Sequence, residues 1–378
     1  MKNIFQIAAL TACGLAAPLA AMAADDDGPK FSFSGFAQLT AGKVLSGKEG
    51  SYMQWSCPCT IQNWEYVGVY EKSKGWQADQ ESLLGLQGTL RMNDKLSATV
   101  QLLSRPNNDN YQPSVDWAYV SYALTDEWTL QAGRKRIPLY YYSDFLYVGT
   151  AYPWVRPAPD VYGWPIYAYD GANLAYSRPV FGNWTLDANL WAGGFSYKDN
   201  AYDTKIYFGD RTDEAWRKIL GGYATLSDGA ISVRAMLMTF RNEQSTHKPD
   251  GSTVINLDGY RTNIMGLSAN YDGRNWILRS ELNRFSQKVS GYTYNYFLLG
   301  GGYKFGDWTG MYTISRYRTA ENNFLAPIEG RRTKTLALRW DVSKNWALKA
   351  QYDVSKDQSK YDFFGDYKLL SFSAQTSF

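Results

Sequence analysis

The side chains that most often carry out catalysis are scarce in this chain of 378 residues. Its single histidine, His247, lies between Thr246 and Lys248 in a stretch, 242–258, that we predict to be a loop. A hydrolase of the Ser–His type needs a histidine held beside its nucleophile. We therefore predict that the protein is not an enzyme, and we assign no catalytic residue.

Two of the three cysteines stand close together, as Cys57 and Cys59 in the run Cys-Pro-Cys. In an oxidising compartment they could form a disulfide, and two separate thiols are the alternative. No histidine or further cysteine lies near them, and structural zinc sites need about four such ligands. We therefore predict no metal site and no cofactor.

Charged side chains recur at alternate positions of several short segments, the spacing that places them on one face of a β-strand. If that face lines a water-filled passage, rings of charge would bias the passage of ions. Basic residues outnumber acidic ones in this set, which favours a mild anion preference, although local pairing would remove most of it. The basic positions are Arg91, Lys95, Arg234, Arg279, Lys304, Arg339 and Lys349. The acidic positions are Asp187, Glu281, Asp341 and Asp353.

The segment 137–169 is rich in aromatic residues and proline and holds few charges, namely Asp144, Arg156 and Asp160. Its rings could bind the apolar faces of sugars or aromatic solutes. They could instead pack as a rigid plug against the barrel wall, with proline limiting the conformational entropy of the segment, and this is the interpretation we favour. The aromatic residues are Tyr140, Tyr141, Tyr142, Phe145, Tyr147, Tyr152, Trp154, Tyr162, Trp164 and Tyr167.

The elements that position these residues are predicted to be β-strands. Aromatic residues make up 16% of the chain, yet its mean hydropathy is −0.41, so apolar and polar residues are interleaved. In 346–354, Trp346 and Leu348 alternate with Ala347 and Lys349, which is the period of a strand with two different faces. The sixteen predicted strands are 31–41, 81–92, 95–104, 114–124, 128–136, 170–179, 184–195, 214–226, 230–241, 259–272, 275–287, 292–305, 308–320, 332–342, 345–356 and 366–378.

The connections between these strands alternate between short and long, which is typical of an outer-membrane barrel with short periplasmic turns and long external loops. Five of the short turns run directly into tryptophan, a residue suited to the membrane–water interface. A soluble β-sandwich is the alternative, but it has no need for so many outward aromatic rings. We therefore predict an all-β fold, a 16-stranded antiparallel transmembrane β-barrel. The five tryptophans are Trp128, Trp184, Trp276, Trp308 and Trp346.

The N-terminus predicts export from the cytoplasm. A basic start is followed by an apolar stretch and by Ala21-Met22-Ala23, which together form a cleavable signal peptide over 1–23. A lipoprotein signal ending at Cys13 is the alternative. Removal of 1–23 takes away Lys2 alone among the charged residues, so the formal net charge falls from +3 to +2. So small a charge does not favour nucleic acid as a partner. The barrel is predicted over 24–378.

The ordered set of these features resembles the Gram-negative outer-membrane porins. It comprises the signal peptide, the opening run 31–36, the strands, a terminal Phe378, and Gly133-Arg134 leading into the long third loop. The resemblance implies a homotrimer in the cell outer membrane, in contact with its lipid, with the third loop folded into the lumen. It also implies that Phe378 is the signal read by the barrel-assembly machinery. Arg134 would face the third loop, although strand parity places it outward, so a bulge would be needed.

We predict a porin that allows passive diffusion of small hydrophilic solutes with a mild anion preference. The alternatives are a substrate-selective channel for sugars or aromatic solutes along the third loop, and an adhesin or receptor that uses the external loops. The third loop, 137–169, departs from the acidic loop of the family's general-diffusion members. The predicted constriction comprises Arg134, Arg136, Tyr141, Asp144, Tyr147, Trp154, Arg156 and Trp164. The predicted pore lining comprises Arg91, Arg234, Arg279, Glu281, Arg339 and Lys349.

Overall fold

The computed structural model describes residues 28–106, 111–320, 329–360 and 364–378, and the predicted signal peptide lies outside them. Sixteen antiparallel strands form one closed barrel, because β1 pairs with both β2 and β16. The all-β, 16-stranded fold is therefore confirmed. The barrel strands are β1 Lys30–Gly47, β2 Leu83–Arg91, β3 Leu96–Ser104, β4 Ser114–Ala123, β5 Trp128–Arg136, β6 Ala168–Phe181, β7 Trp184–Tyr197, β8 Thr212–Ser227, β9 Ile231–His247, β10 Thr253–Asp272, β11 Trp276–Gln287, β12 Tyr292–Phe305, β13 Trp308–Thr319, β14 Gly330–Asp341, β15 Trp346–Asp357 and β16 Tyr367–Ser377.

The two faces of the strands differ as predicted. On β14, Leu336 and Leu338 are exposed on the outside of the barrel, while Thr335 and Ala337 between them are buried inside. At the short-turn end, Trp276 is 65% exposed and Trp346 is 50% exposed, so their rings stand on the outer surface as an interfacial girdle requires. The barrel wall therefore has an apolar outer face and a polar inner face.

One hairpin is longer than predicted. β9 and β10 continue to His247 and from Thr253, so much of the predicted loop 242–258 is strand. His247 is paired with Thr253 across this hairpin, and one ring nitrogen lies 3.1 Å from Asp213. The prediction that His247 lies in a loop is wrong. These outer ends of β9 and β10 extend beyond the apolar band of the barrel. Their residues therefore do not alternate between apolar and polar as those within the band do.

The long-loop end carries the remaining elements. Two short hairpins follow β1, Gly50–Tyr52 with Trp55–Cys57 and Cys59–Asn63 with Gly68–Glu71, and Cys57 is disulfide-bonded to Cys59. The helical turns are 3₁₀ at Lys72–Lys74, Ser143–Phe145 and Gly149–Ala151, α1 at Pro159–Tyr162, and a π-helical turn at Asp203–Phe208. Within the described ranges, no helix is long and apolar enough to cross a membrane.

Candidate functional site

The third loop, 137–167, lies inside the barrel. The backbone N–H of Ile137 donates to the carbonyl oxygen of Tyr167, which closes the base of the loop. Between them, Tyr142, Trp154 and Tyr162 are buried in one apolar cluster with inward side chains of the wall. Burial of so many rings stabilises the loop in the lumen by removing their apolar surface from water. The sixteen strands alone would enclose a wide passage, so this loop decides how much of it is open.

Cations of the wall hold the backbone of the loop. Lys349 is 3% exposed, and its Nζ donates to the carbonyl oxygens of Gly149, Tyr152 and Trp154 at 2.6–2.7 Å. Arg339 Nη1 donates to the carbonyl of Thr150 at 2.8 Å. These carbonyls have few backbone partners in an irregular segment, and unsatisfied polar groups are costly when buried. The two wall residues thus satisfy the loop and fix its position.

Asp160 anchors the one α-helical turn of the loop. Pro159 starts that turn, a position at which proline loses no hydrogen bond. The carboxylate of Asp160 is fully buried and accepts hydrogen bonds from Arg331 Nε at 2.6 Å, Ser315 Oγ at 2.7 Å and Thr333 Oγ1 at 3.0 Å. β13 and β14 together provide these three donors. The ion pair of Asp160 with Arg331 is therefore a buried, charge-assisted contact between the loop and the wall.

Arg156 makes a second buried ionic contact on the other side of the loop. Its Nε lies 2.5 Å from Glu81 and its Nη1 lies 3.2 Å from Asp353, while Nη2 donates to Ser371 Oγ at 2.7 Å. Glu81 precedes β2, whereas Asp353 and Ser371 belong to β15 and β16. A single guanidinium therefore ties the loop to residues far apart in the sequence that closure of the barrel brings together on the neighbouring strands β2, β1, β16 and β15. Its five fixed donors suit such a role better than the single ammonium of lysine.

A third ionic cluster surrounds Arg136 at the start of the loop. Arg136 pairs with Asp116 and with Glu65, and Arg105 lies 2.5 Å from the same Glu65. Burial alone would raise the pKa of Glu65, but the two guanidiniums hold it below its ordinary value. The ring of Tyr147 lies 4.5 Å from the Arg136 guanidinium, and burial raises the pKa of Tyr147 to about 12. The carboxylates thus balance the arginine charge locally.

Arg234 and Glu281 contact the first turns of the loop. Arg234 Nη2 donates to the carbonyl of Pro138 at 2.9 Å, and Glu281 accepts hydrogen bonds from the Tyr141 backbone and the Tyr162 hydroxyl. Burial and the neighbouring Glu281 raise the pKa of Tyr162 well above its ordinary range, so its hydroxyl remains a donor. The predicted lining residues here contact the loop rather than open water.

The two tryptophans of the loop are packed against the wall and against other loops. Trp154 is fully buried, and its Nε1 donates to Thr313 Oγ1 at 2.9 Å. Trp164 stacks on Trp64 of the first external loop, with ring centroids 5.3 Å apart, and also meets Tyr317 of β13 edge-on. The first loop therefore folds toward the lumen as well. These rings have little free face.

Two small cavities lie beside the loop. A cavity of about 40 Å³ lies against β1 and β2, and a smaller one of about 10 Å³ lies beside Arg136 and Asp144. A cavity needs only about 10–15 Å³ of this kind of volume to hold one water molecule. The larger of these two cavities is therefore big enough to hold water. The larger cavity is lined by Gln38, Gln62, Asn63, Tyr66, Glu81, Leu83, Leu146, Tyr147, Tyr152, Arg156, Pro157 and Tyr162.

Two predicted site residues, Arg134 and Arg91, lie away from this cluster, and Arg279 lies at its edge near Tyr142. Arg134 is on the outer face, where it forms an exposed ion pair with Asp170 at 2.8 Å, so strand parity is right and its placement at the constriction is wrong. Arg91 is exposed at the end of β2 next to a short turn. Arg279 faces inward but pairs with Asp272 at 2.6 Å near the short-turn end.

Sequence reasoning missed several acidic partners. Glu65 and Glu81 belong to the first external loop, where no strand period marks an inward position. Asp116 lies on β4, where the pairing with β3 shifts by one residue, and such a bulge turns a side chain away from the simple alternation. The arginines that we predicted at the constriction gave a partial signal for these acidic partners, because a buried guanidinium needs a carboxylate beside it. In the described ranges, no cluster of potential ligands suits a metal ion.

Comparison with known proteins agrees with this architecture. An anion-selective porin from Comamonas acidovorans is 16% identical, with 93% of this chain and 100% of that chain covered and a TM-score of 0.53. The outer membrane channel DcaP of Acinetobacter baumannii is 11% identical, with 93% and 98% covered and a TM-score of 0.56. The trimer form of OmpT, an outer membrane protein of Vibrio cholerae, is 10% identical, with 93% and 100% covered and a TM-score of 0.54.

At these identities the solved structures establish the fold alone. No curated protein sequence matches the chain. The family model for Gram-negative porins, however, matches residues 8–360, which is most of its length. The closed barrel, its apolar outer face and the loop within its lumen all agree with that match. The chain therefore belongs to the Gram-negative porin family, and its barrel is an outer-membrane channel.

Proposed function

We propose that the channel is a passive diffusion pathway for small hydrophilic solutes, narrowed by the third loop. The observation that carries this proposal is the set of buried bonds from that loop to the wall, made by Asp160, Arg156 and Lys349. Such bonds hold the loop across the lumen, so solutes pass beside it and not through a wide bore. Polar and charged side chains, among them Gln38, Gln62 and Glu81, form part of the lining of a cavity beside the loop. Water and small polar solutes are the species that such a lining favours.

The proposal includes a mild anion preference. The arginines of the loop are balanced by carboxylates, but Lys349 and Arg234 are bonded to backbone carbonyls, and neither has an ion pair with a described carboxylate. Their charge is therefore less neutralised than that of Arg136 or Arg156. Glu281 is a nearby charge of the opposite sign on the same wall. The net charge along the passage should therefore be slightly positive, which favours anions weakly.

The contacts of the aromatic residues favour a packing role over a solute-binding track. A track for sugars or aromatic solutes would need rings with free faces along a passage. Trp154 and Trp164 instead contact Thr313, Trp64 and Tyr317. We therefore propose that these rings stabilise the loop, and that selectivity depends on the narrow polar spaces beside it.

We propose that the protein forms homotrimers, as OmpT of Vibrio cholerae does in its trimer form. The outer face of β2, β3 and β4 supports this assembly, because its exposed side chains are uncharged and many are aliphatic. Such a continuous apolar surface suits either lipid or another subunit. It includes Leu84, Val100, Leu102, Val115 and Val120.

The test is single-channel recording in planar bilayers with a salt gradient. We expect discrete, small conductance steps and a reversal potential displaced toward that of the anion. Lys349→Gln, which keeps a hydrogen-bond donor but removes the charge, should reduce that displacement. Arg178→Gln is the matched control, because Arg178 lies on the outer face near the short-turn end and pairs with Glu127. A cation-side reversal potential contradicts the preference. An absence of conductance contradicts the channel and favours a receptor role for the external loops.

A further inference from the structure

A carboxylate of the first external loop lies between two arginines of the barrel wall. Glu65 Oε1 lies 2.5 Å from Nη2 of Arg105, which follows β3, and Glu65 Oε2 lies 3.3 Å from Nη1 of Arg136, which ends β5. The hydroxyl of Tyr147, in the third loop, donates to the same Oε2 at 3.3 Å. The Glu65 side chain is 9% exposed, so these contacts are largely shielded from bulk water.

Arg105 depends on Glu65 more than Arg136 does. Arg136 has a second carboxylate, that of Asp116, whereas Arg105 forms no other ion pair in the part of the chain that the structure describes. Within the same described ranges, Nε and Nη1 of Arg105 are buried and have no hydrogen-bond partner. The charges of the two guanidiniums and the two carboxylates sum to zero. Without Glu65 this cluster would carry one net positive charge.

The cluster borders the cavities beside the third loop. Tyr66 and Tyr147 line the larger cavity, while Arg136 and Tyr147 line the smaller one. The guanidinium of Arg105 lies over both tyrosine rings, 4.8 Å from the centroid of Tyr66 and 5.4 Å from that of Tyr147. An ion that passes beside the loop would therefore experience the net charge of this cluster.

The first loop holds Glu65 in place through contacts that do not involve its charge. The backbone N–H of Glu65 donates to Asn63 Oδ1 at 3.0 Å, which stabilises the turn after Asn63. The backbone N–H of Trp64 donates to the carbonyl of Gly163 at 2.7 Å, and its ring stacks on Trp164. The position of the Glu65 carboxylate is therefore fixed by the packing of the first loop against the third.

We infer that Glu65 determines the ionic selectivity of the channel, because it neutralises Arg105 and Arg136 and thereby keeps the anion preference mild. This inference rests on the proposed function, since it requires that ions pass beside the third loop. The first external loop is then a second constriction loop. The wall supplies the positive charge, and the first loop supplies a carboxylate that limits it. One unit charge roughly 8 Å from a passing ion changes its permeability about twofold in water.

The test is the ratio of anion to cation permeability, obtained from reversal potentials of the full mature protein in planar bilayers at low salt, where screening is weak. Glu65→Gln should raise this ratio at least about twofold, and Arg105→Gln should lower it by a similar factor. The double variant should return to the native ratio, because it lacks one charge of each sign. Glu71→Gln is the matched control and should keep the native ratio. Glu71 is another buried carboxylate of the first loop, pairs with Lys74 at 2.6 Å and lines neither cavity.

The double variant separates an electrostatic role from a structural one. Loss of packing alone would not give shifts of opposite sign that cancel when both charges are removed. The heat-dependent gel shift checks that each variant is folded, and the comparison of Arg105→Gln with the double variant decides the matter even where Glu65→Gln alone does not fold.

An unchanged or lowered ratio in Glu65→Gln overturns the inference, and so does a double variant that keeps the ratio of Arg105→Gln. A native channel that prefers cations would contradict the proposed anion preference. The shifts of the variants relative to that native value would still decide the role of Glu65, so the two failures are distinguishable.

Discussion

Replacing Asp160 by asparagine should loosen the third loop while leaving the barrel folded. The carboxylate is fully buried and holds Arg331, Thr333 and Ser315 of the wall. Asparagine keeps the size of the side chain and one acceptor oxygen, but it removes the charge that balances Arg331. The ladder of hydrogen bonds between β13 and β14 is untouched.

The magnitude follows from the burial of the pair. The side chains of Arg331 and Asp160 are 6% and 0% exposed. Removing one member of so buried a pair typically costs about 3–5 kcal/mol, because the other charge remains without a partner. At about 1.4 kcal/mol for each factor of ten, the population with the loop displaced should rise roughly 100- to 4,000-fold. Arg156 and Lys349 still hold the loop, so displacement should be transient.

Single-channel recording detects this change as more frequent and longer excursions to a larger conductance. Asp170→Asn is the matched control, since Asp170 forms an ion pair with Arg134 on the outer face, where the side chains are 58% and 40% exposed. Exposed pairs contribute about 0–1 kcal/mol, so this control should resemble the native channel. Identical records for Asp160→Asn and Asp170→Asn would refute the anchoring role of Asp160.

Three further predictions concern the lipid-facing wall, the closure of the barrel between β1 and β16, and the external end. Leu336 is 59% exposed at an outward position near the middle of β14. Leu336→Arg should lower the free energy of unfolding in lipid vesicles by about 2–4 kcal/mol, whereas Trp340→Arg at the rim should lower it by about 0–1 kcal/mol. Equal losses for the two variants would contradict the assigned membrane level. Deletion of Phe378, whose backbone exchanges two hydrogen bonds with Gly35 at 2.7 and 2.9 Å, should lower the yield of folded, heat-modifiable barrel, and an unchanged yield would count against it as an assembly signal. Burial and the neighbouring Asp357 raise the pKa of Glu329 from 4.5 to about 8, so the stability of the folded state should be greatest at low pH and fall as pH rises through 8. Glu329→Gln should flatten this pH dependence in unfolding measurements. A pH dependence that persists unchanged in the variant would assign it to another group.

The strands could be predicted because the membrane and the lumen impose opposite polarity on successive residues. On β15, Trp346 and Leu348 face outward while Ala347 and Lys349 face inward, which is the alternation read from the sequence. Where no lipid is present the constraint disappears. The outer turns of β9 and β10 are held by cross-strand hydrogen bonds, and His247 accordingly belongs to a strand that its neighbours did not indicate.

The contacts of the loop could be predicted only in part. Its aromatic composition indicated burial, and its rings are buried. The partners of each side chain depend on contacts between residues far apart in the sequence. Lys349, which parity places in the lumen and which we expected to meet water, is instead bonded to Gly149, 200 residues away. The role of Glu81 as a partner of Arg156 depends on the path of two loops, and no local pattern records such a path.

Single-channel conductance of a variant without residues 140–164 tests most directly the claim that the third loop narrows the lumen. The barrel ladder does not include these residues, so the variant should fold and show the heat-dependent gel shift of the native protein. We predict a conductance well above that of the native channel under the same salt and voltage, with a weaker anion preference. A folded variant with native conductance and native reversal potential would contradict it, because the loop would then lie outside the path of the ions.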